Sequence, residues 1–169
     1  SSPFSEIRKA VDICEKLMAE PDSPILGLHV EGPYLNRKMA GEQFANQVKE
    51  VDVAEYTSLL ESTDCIKRWD ASPELPGALD FARYLKSKGI VGAVSHTEAE
   101  YDGIKEAYEA GFTHAAHFYN AMPGFHKRRE YKYEGTVESV YLTDGMTIEL
   151  IADGIHLPST ILKLAYKLK

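Results

Sequence analysis

Apolar residues recur at Ile7, Ala10, Val11, Cys14, Leu17 and Met18, the spacing of one helix face, so the chain opens with a predicted helix over 4–20 that Pro21 and Pro24 end. Ile25 to His29 reads as a strand, broken after Glu31 by Gly32-Pro33. Asp52 then caps a helix carrying Val53, Tyr56, Leu59 and Leu60. A weaker strand over 65–72 leads to a helix through Leu79, Phe81, Ala82 and Leu85, closed by Lys88-Gly89. The run Ile90-Val-Gly-Ala-Val-Ser95 predicts a buried strand, followed by a helix over 100–110 that stops at Gly111. A strand over 112–118, a loop over 120–129 and a partly helical stretch over 133–142 come next. Asp144-Gly145 turns the chain into a strand over 146–152, and Pro158 opens a last helix with Ile161, Leu162, Leu164 and Ala165 on its apolar side.

Five strands separated by helices, with short connections, predict a parallel α/β sheet, which leaves the doubly wound open sheet and the (β/α)8 barrel in competition. The polar residues favour the barrel. Glu31, His96, His117, Asp153 and His156 all fall at or just beyond strand C-terminal ends on successive units, which is how a barrel assembles one site from many strands. No Gly-x-Gly-x-x-Gly run follows the first strand, as a dinucleotide-binding sheet would require. Five units cannot close a barrel of eight, so the expected fold is a partial (β/α)8 TIM barrel, with residues 1–169 as the central part of a single catalytic domain.

Composition narrows the partners. With 169 residues and 44% hydrophobic content the chain can bury a core of its own. No apolar run approaches the roughly 18 residues of a membrane span, and the start lacks a signal-peptide pattern, so a cytoplasmic protein is expected. The net charge of −7 argues against nucleic acid and anionic membranes as partners, although Lys127-Arg128-Arg129 forms one local basic patch. Cys14 and Cys65 have no metal-ligand or disulfide-framework spacing and are expected to be buried small hydrophobes.

The chemistry-bearing residues start with His29 and Glu31, which as strand neighbours two apart project to the same face. Alone they fit a polar strand terminus as well as a site. Taken singly, each histidine is more often packed or solvated than a ligand. One carboxylate and two imidazoles at the ends of separate strands, however, form the donor set of a hydrolytic metal site with an open water position. His114, three residues from His117, should face the other side of its strand as a core or supporting residue, and His126 sits in a loop.

Four segments give the chain a family resemblance: Gly27-Leu-His-Val-Glu-Gly-Pro-Tyr-Leu-Asn36, Val94-Ser-His-Thr97, Thr113-His-Ala-Ala-His-Phe-Tyr-Asn-Ala-Met-Pro123 and Ile151-Ala-Asp-Gly-Ile-His-Leu-Pro158. In this order they resemble the N-acetylglucosamine-6-phosphate deacetylases of the amidohydrolase superfamily. The resemblance implies hydrolysis of the acetamide of N-acetylglucosamine 6-phosphate to glucosamine 6-phosphate and acetate. It implies a divalent metal ion, zinc first and iron, cobalt or manganese as alternatives, held by Glu31, His96 and His117. It further implies that Asn120 and Ala121 contact the sugar phosphate, that Arg128 binds the phosphate, and that Asp153 and His156 reach the sugar or its acetamide oxygen. The partner is then a small amino-sugar phosphate, and the full-length protein a homo-oligomer, a dimer.

The resemblance also marks departures. Its acid-base aspartate ends the last barrel strand, and its His-x-His pair lies on the first; neither matches residues 1–169, which align with about strands three to seven of eight. The expectation is therefore a central piece, inactive by itself. Where many members carry a Gly-x-His that touches substrate, Gly41-Glu-Gln43 stands here, and Gln43 offers hydrogen bonds without the imidazole's charge option. Two other readings compete: an amidohydrolase for a different amide, and a half-barrel serving as a non-catalytic binding or assembly module.

Overall fold

The computed structural model describes all residues, Ser1–Lys169. Helix α1 (Phe4–Met18) leads to β1 (Leu28–Glu31), a 3-10 turn (Arg37–Met39), α2 (Val53–Leu60), β2 (Ile66–Ala71), α3 (Ala78–Ser87), β3 (Val91–Val94), α4 (Tyr101–Ala110) and β4 (Phe112–Ala115). A hairpin of β5 (His126–Arg128) and β6 (Tyr131–Tyr133), then α5 (Thr136–Leu142), β7 (Thr147–Ile148) and α6 (Ser159–Leu168) complete the chain. The main sheet is parallel, in the order β1-β2-β3-β4-β7. Every crossover steps in one direction, and right-handed crossovers then put the helices on one face. A doubly wound sheet reverses its order partway; this one does not, which leaves an arc of a barrel.

The helix-side face carries the apolar core. Trp69, the only tryptophan, is fully buried between Tyr34 and Phe81, with ring centroids 5.9 and 5.3 Å away. Its indole N–H donates to the Gly32 carbonyl at 2.8 Å, so the bulkiest core side chain also pins the loop that leaves β1. Helix α2 begins where Asp52 Oδ1 accepts the Glu55 N–H at 3.1 Å, the cap read from the sequence. Cys14 and Cys65 are buried free thiols, as expected.

Several boundaries differ from the expected ones. Strand β1 starts at Leu28 instead of Ile25, because Leu26 is exposed and Gly27 takes φ +149° hard against the Cys65 carbonyl. Strand β4 stops at Ala115, short of Phe118, where the backbone enters left-handed conformations at His117, Tyr119 and Ala121. The strand expected over 146–152 shrinks to Thr147–Ile148 at the open sheet edge, with one neighbour to pair against. The basic stretch expected as a loop forms the β5–β6 hairpin, and helix α5 begins three residues after Tyr133, at Thr136.

Strand alternation gives the opposite face, the barrel interior, a charged layer. Arg68 and Asp70 flank Trp69 in sequence and so point away from it, beside His29, His114 and Glu149. Trp69→Ala removes the hub of the core and the anchor of the β1 loop together. Thermal or denaturant unfolding should show a loss of about 3–5 kcal/mol, the usual cost of truncating a buried aromatic; a loss under about 1 kcal/mol would contradict this packing.

Candidate active site

Glu31 ends β1, while His96 and His117 each lie two residues past the ends of β3 and β4. Both histidines hold left-handed backbones, φ +46° and +32°, which non-glycine residues seldom adopt. That turn swings each ring back over the strand ends toward Glu31. The potential ligand atoms of the three residues lie within 4.8 Å of one another, and this is the one such cluster in the chain. Glu31 Oε1 sits 2.9 Å from His96 Nε2 and 3.1 Å from His117 Nε2. The two rings meet edge to face, 4.8 Å between centroids.

The other ring nitrogens decide what this cluster can hold. His96 Nδ1 is 2.8 Å from the Met39 carbonyl, and His117 Nδ1 is 3.2 Å from the Asn120 carbonyl. A carbonyl only accepts, so each Nδ1 carries the hydrogen, and the neutral rings turn Nε2 lone pairs toward a carboxylate that also only accepts. Three acceptors facing one point repel unless a cation lies between them. Protons on the rings would serve, and so would a divalent metal, for which carboxylate and Nε2 donors with backbone-anchored Nδ1 groups are a fitting set.

The electrostatics follow from the same contacts. When their Nε2 atoms also carry hydrogens, bonds from His117 and His96 hold the Glu31 carboxyl far below the usual carboxylate range, against the opposing effect of burial. Burial by itself would depress His117, but the hydrogen bond and charge of Glu31 outweigh it and raise the imidazole above its ordinary 6.5. His114 moves the other way, lowered by burial and then by the Arg68 charge.

Around the cluster, backbone contacts bind loops to ligand positions. The Thr97 N–H donates to the Ala121 carbonyl at 3.1 Å, and Asn120 Nδ2 donates to the His117 carbonyl at 3.1 Å. Asn120 and Ala121 are thus brought to the triad, with Ala121 at φ +52°. The 3-10 turn that supplies the Met39 carbonyl continues through Gly41, where a side chain's Cβ would lie 3.9 Å from the His96 ring, to Gln43, whose Oε1 accepts from the Ser1 amino group.

Other expected substrate residues stay on their own loops. Arg128 is half-exposed on β5, ion-paired with Glu100 and 4.8 Å from the Tyr133 ring centre. Asp153 accepts the Ile155 and His156 N–H groups at 2.9 Å each, and the His156 ring at 2.7 Å, in the exposed loop between β7 and α6. Backbone donors first, then the His156 ring, hold the Asp153 carboxyl down at about 2. His29 binds Asp70 Oδ2 at 2.8 Å, away from the triad, and His114 Nδ1 meets Thr147 Oγ1 at 2.7 Å. His126, placed in a loop by the sequence, lies in β5.

Two groups escape the sequence reading: Asp70, bound by Arg68 and His29, and Glu149, which accepts the His117 backbone N–H at 3.2 Å while paired with Arg68. Their signal is the period-two alternation of Arg68 and Asp70 about Trp69, which announces a charged inner face in need of partners.

No protein-family profile matches the chain. Curated relatives do. It is 35% identical over 146 residues to N-acetylglucosamine-6-phosphate deacetylase of Bacillus subtilis, covering 86% of this chain and 36% of that protein. The Lysinibacillus sphaericus enzyme of the same name is 31% identical over 159 residues, with 88% and 38% covered. The crystal structure of N-acetylglucosamine-6-phosphate deacetylase from Pasteurella multocida superposes with a TM-score of 0.90 at 28% identity, over 99% of this chain and 43% of that one. Sequence and fold together relate this chain to the N-acetylglucosamine-6-phosphate deacetylases, of which it spans less than half the length.

Proposed function

We propose that this chain is the metal- and substrate-binding centre of an enzyme that hydrolyses the acetamide of N-acetylglucosamine 6-phosphate, with Glu31, His96 and His117 as metal ligands. The observation that carries the reading is the convergence of Glu31 Oε1 and two Nε2 atoms whose Nδ1 partners are backbone carbonyls. A divalent ion, zinc by donor type, would supply carbonyl polarisation and an acidified water.

The chain's own residues bind and orient. Arg128 offers a planar, permanently charged fork suited to a phosphate dianion, which would take the place of Glu100 beside it. Asn120 holds the turn bearing His117, Ala121 accepts the N–H of Thr97 next to His96, and Gln43, on the loop beside His96, offers both donor and acceptor to sugar hydroxyls. His156 commits Nδ1 to Asp153, so its free Nε2 accepts from a sugar hydroxyl when the ring is neutral and donates to the acetamide oxygen when it is protonated. The chain's other candidate carboxylates are already engaged: Asp70 with Arg68 and His29, Glu149 with Arg68 and the His117 N–H, and Asp153 with its own exposed loop. Proton shuttling is therefore assigned to a carboxylate outside residues 1–169, and this chain alone should bind metal without releasing acetate.

Acetate release from N-acetylglucosamine 6-phosphate by the enzyme containing this segment tests the reading. Glu31→Ala should abolish turnover and metal retention. Arg128→Ala should raise KM by about 10- to 100-fold, as expected for losing hydrogen bonds to a charged partner worth about 1.5–3 kcal/mol. Full turnover by Glu31→Ala would overturn the metal assignment, and an unchanged KM in Arg128→Ala would overturn phosphate recognition.

The metal-free and metal-loaded chains should respond oppositely to pH. With His117 raised above 6.5, its pairing with Glu31 contributes stability fully present below that value and lost as pH climbs through the folded-state titration. Metal binding requires neutral rings, so added zinc should stabilise more as pH rises over the same window. Thermal midpoints with zinc and with chelator, measured on both sides of 6.5, check this; parallel profiles would contradict it.

A further inference from the structure

His117 reaches Glu31 only because its backbone is held left-handed, and residue 149 brackets that turn. The Glu149 N–H donates to the Ala115 carbonyl at 2.9 Å, and its carbonyl accepts from the Phe118 N–H at 2.7 Å. Between these two bonds, its side-chain Oε1 accepts the His117 N–H at 3.2 Å. One residue thus makes three hydrogen bonds across the four residues that turn at φ +32°.

The carboxylate is itself held. Arg68 pairs with Glu149 through Nη1 and binds Asp70 through Nε at 2.8 Å and Nη2 at 3.1 Å. Asp70 is fully buried and Arg68 keeps 16% of its side-chain surface, so the fork has little freedom. His29 closes the far side of Asp70 at 2.8 Å. Buried ion pairs such as Arg68–Asp70 seldom add net stability over apolar replacements, because desolvation offsets the attraction, while Glu149 at the outer end of the network keeps 42% of its side-chain surface. What they provide is a fixed geometry.

We infer that Glu149, locked by Arg68, is a positioning residue that sets His117 for metal ligation through its backbone N–H; the inference rests on the metal reading above. A histidine ligand is usually oriented through its second ring nitrogen. Here the Asn120 carbonyl does that for the ring, at 3.2 Å, while Glu149 fixes the backbone from which the ring projects. Both are needed, because a left-handed residue released from its brackets relaxes to a commoner conformation and carries Nε2 away from Glu31.

The test is cobalt(II) titration of the intact protein, read by visible absorption, with amide exchange at His117 measured in the metal-free state. Glu149→Ala should weaken cobalt binding by about 10- to 100-fold, the usual loss for an outer partner of a ligand, and should expose the His117 amide to exchange. Glu149→Gln keeps an oxygen for that N–H and should recover most of the affinity. Glu149→Met keeps the side-chain volume and leaves Arg68 paired with the buried Asp70, so the thermal midpoint should return toward the parent while cobalt binding stays weak. Parent-like affinity in Glu149→Ala would overturn the inference and leave the metal reading intact. Affinity restored together with stability in Glu149→Met would overturn it too, since the role would then be structural only. A parent protein that binds no cobalt would remove both.

Discussion

The mutual repulsion of three hydrogen-bond acceptors is the constraint around which the rest of this structure is arranged. Glu31 and the two Nε2 atoms of His96 and His117 approach within hydrogen-bonding distance, yet their anchoring leaves none of them a hydrogen to give while the rings are neutral. Only a cation reconciles them. Strands β1, β3 and β4 deliver the three residues to one end of the sheet, and parallel pairing fixes the spacing at which they arrive. The left-handed turns after β3 and β4 then aim the rings, a local backbone cost that the surrounding hydrogen bonds sustain.

The two faces of the sheet divide the labour. Trp69, Tyr34 and Phe81 on the helix side supply burial, and Trp69 ties that burial to the loop leaving Glu31 through its bond to Gly32. Arg68 and Asp70 on the other face trade desolvation for orientation, with the half-exposed His29 and Glu149 closing the two ends of the network. The Arg68 fork holds Glu149, with the carboxyl pulled down to about 2 chiefly by that hydrogen bond. Through Glu149 the charged layer meets the backbone of a proposed ligand. Alternation along β2 thus places a core anchor and a site support on adjacent residues.

Much of this is legible in the residues themselves. The helical periodicities of 4–18 and 101–110 survive folding because each apolar face buries against the core, whereas the helix over 159–168 forms with only Ala165 buried and Leu164 exposed. The convergence of Glu31, His96 and His117 follows from their position at strand ends. Arg128, Asp153 and His156 could be named from motifs, but their partners in this structure are Glu100, Tyr133 and one another, which no local pattern announces. Glu149 and Asp70 are less legible because apolar runs predict strands buried among apolar neighbours, whereas the interior of a barrel also accepts charge when partners come from neighbouring strands. The β5–β6 hairpin escaped because its alternation is of polar residues, His-Lys-Arg against Tyr-Lys-Tyr, without a hydrophobic face to betray it.

X-ray absorption at the zinc edge of the protein loaded with one equivalent of metal tests the central claim most directly. Glu31, His96 and His117 as ligands require light N/O scatterers at about 2.0–2.1 Å, with the outer-shell signature of two imidazoles. Sulfur scatterers at about 2.3 Å, which would place the metal at Cys14 and Cys65, or a spectrum without imidazole, would contradict the account.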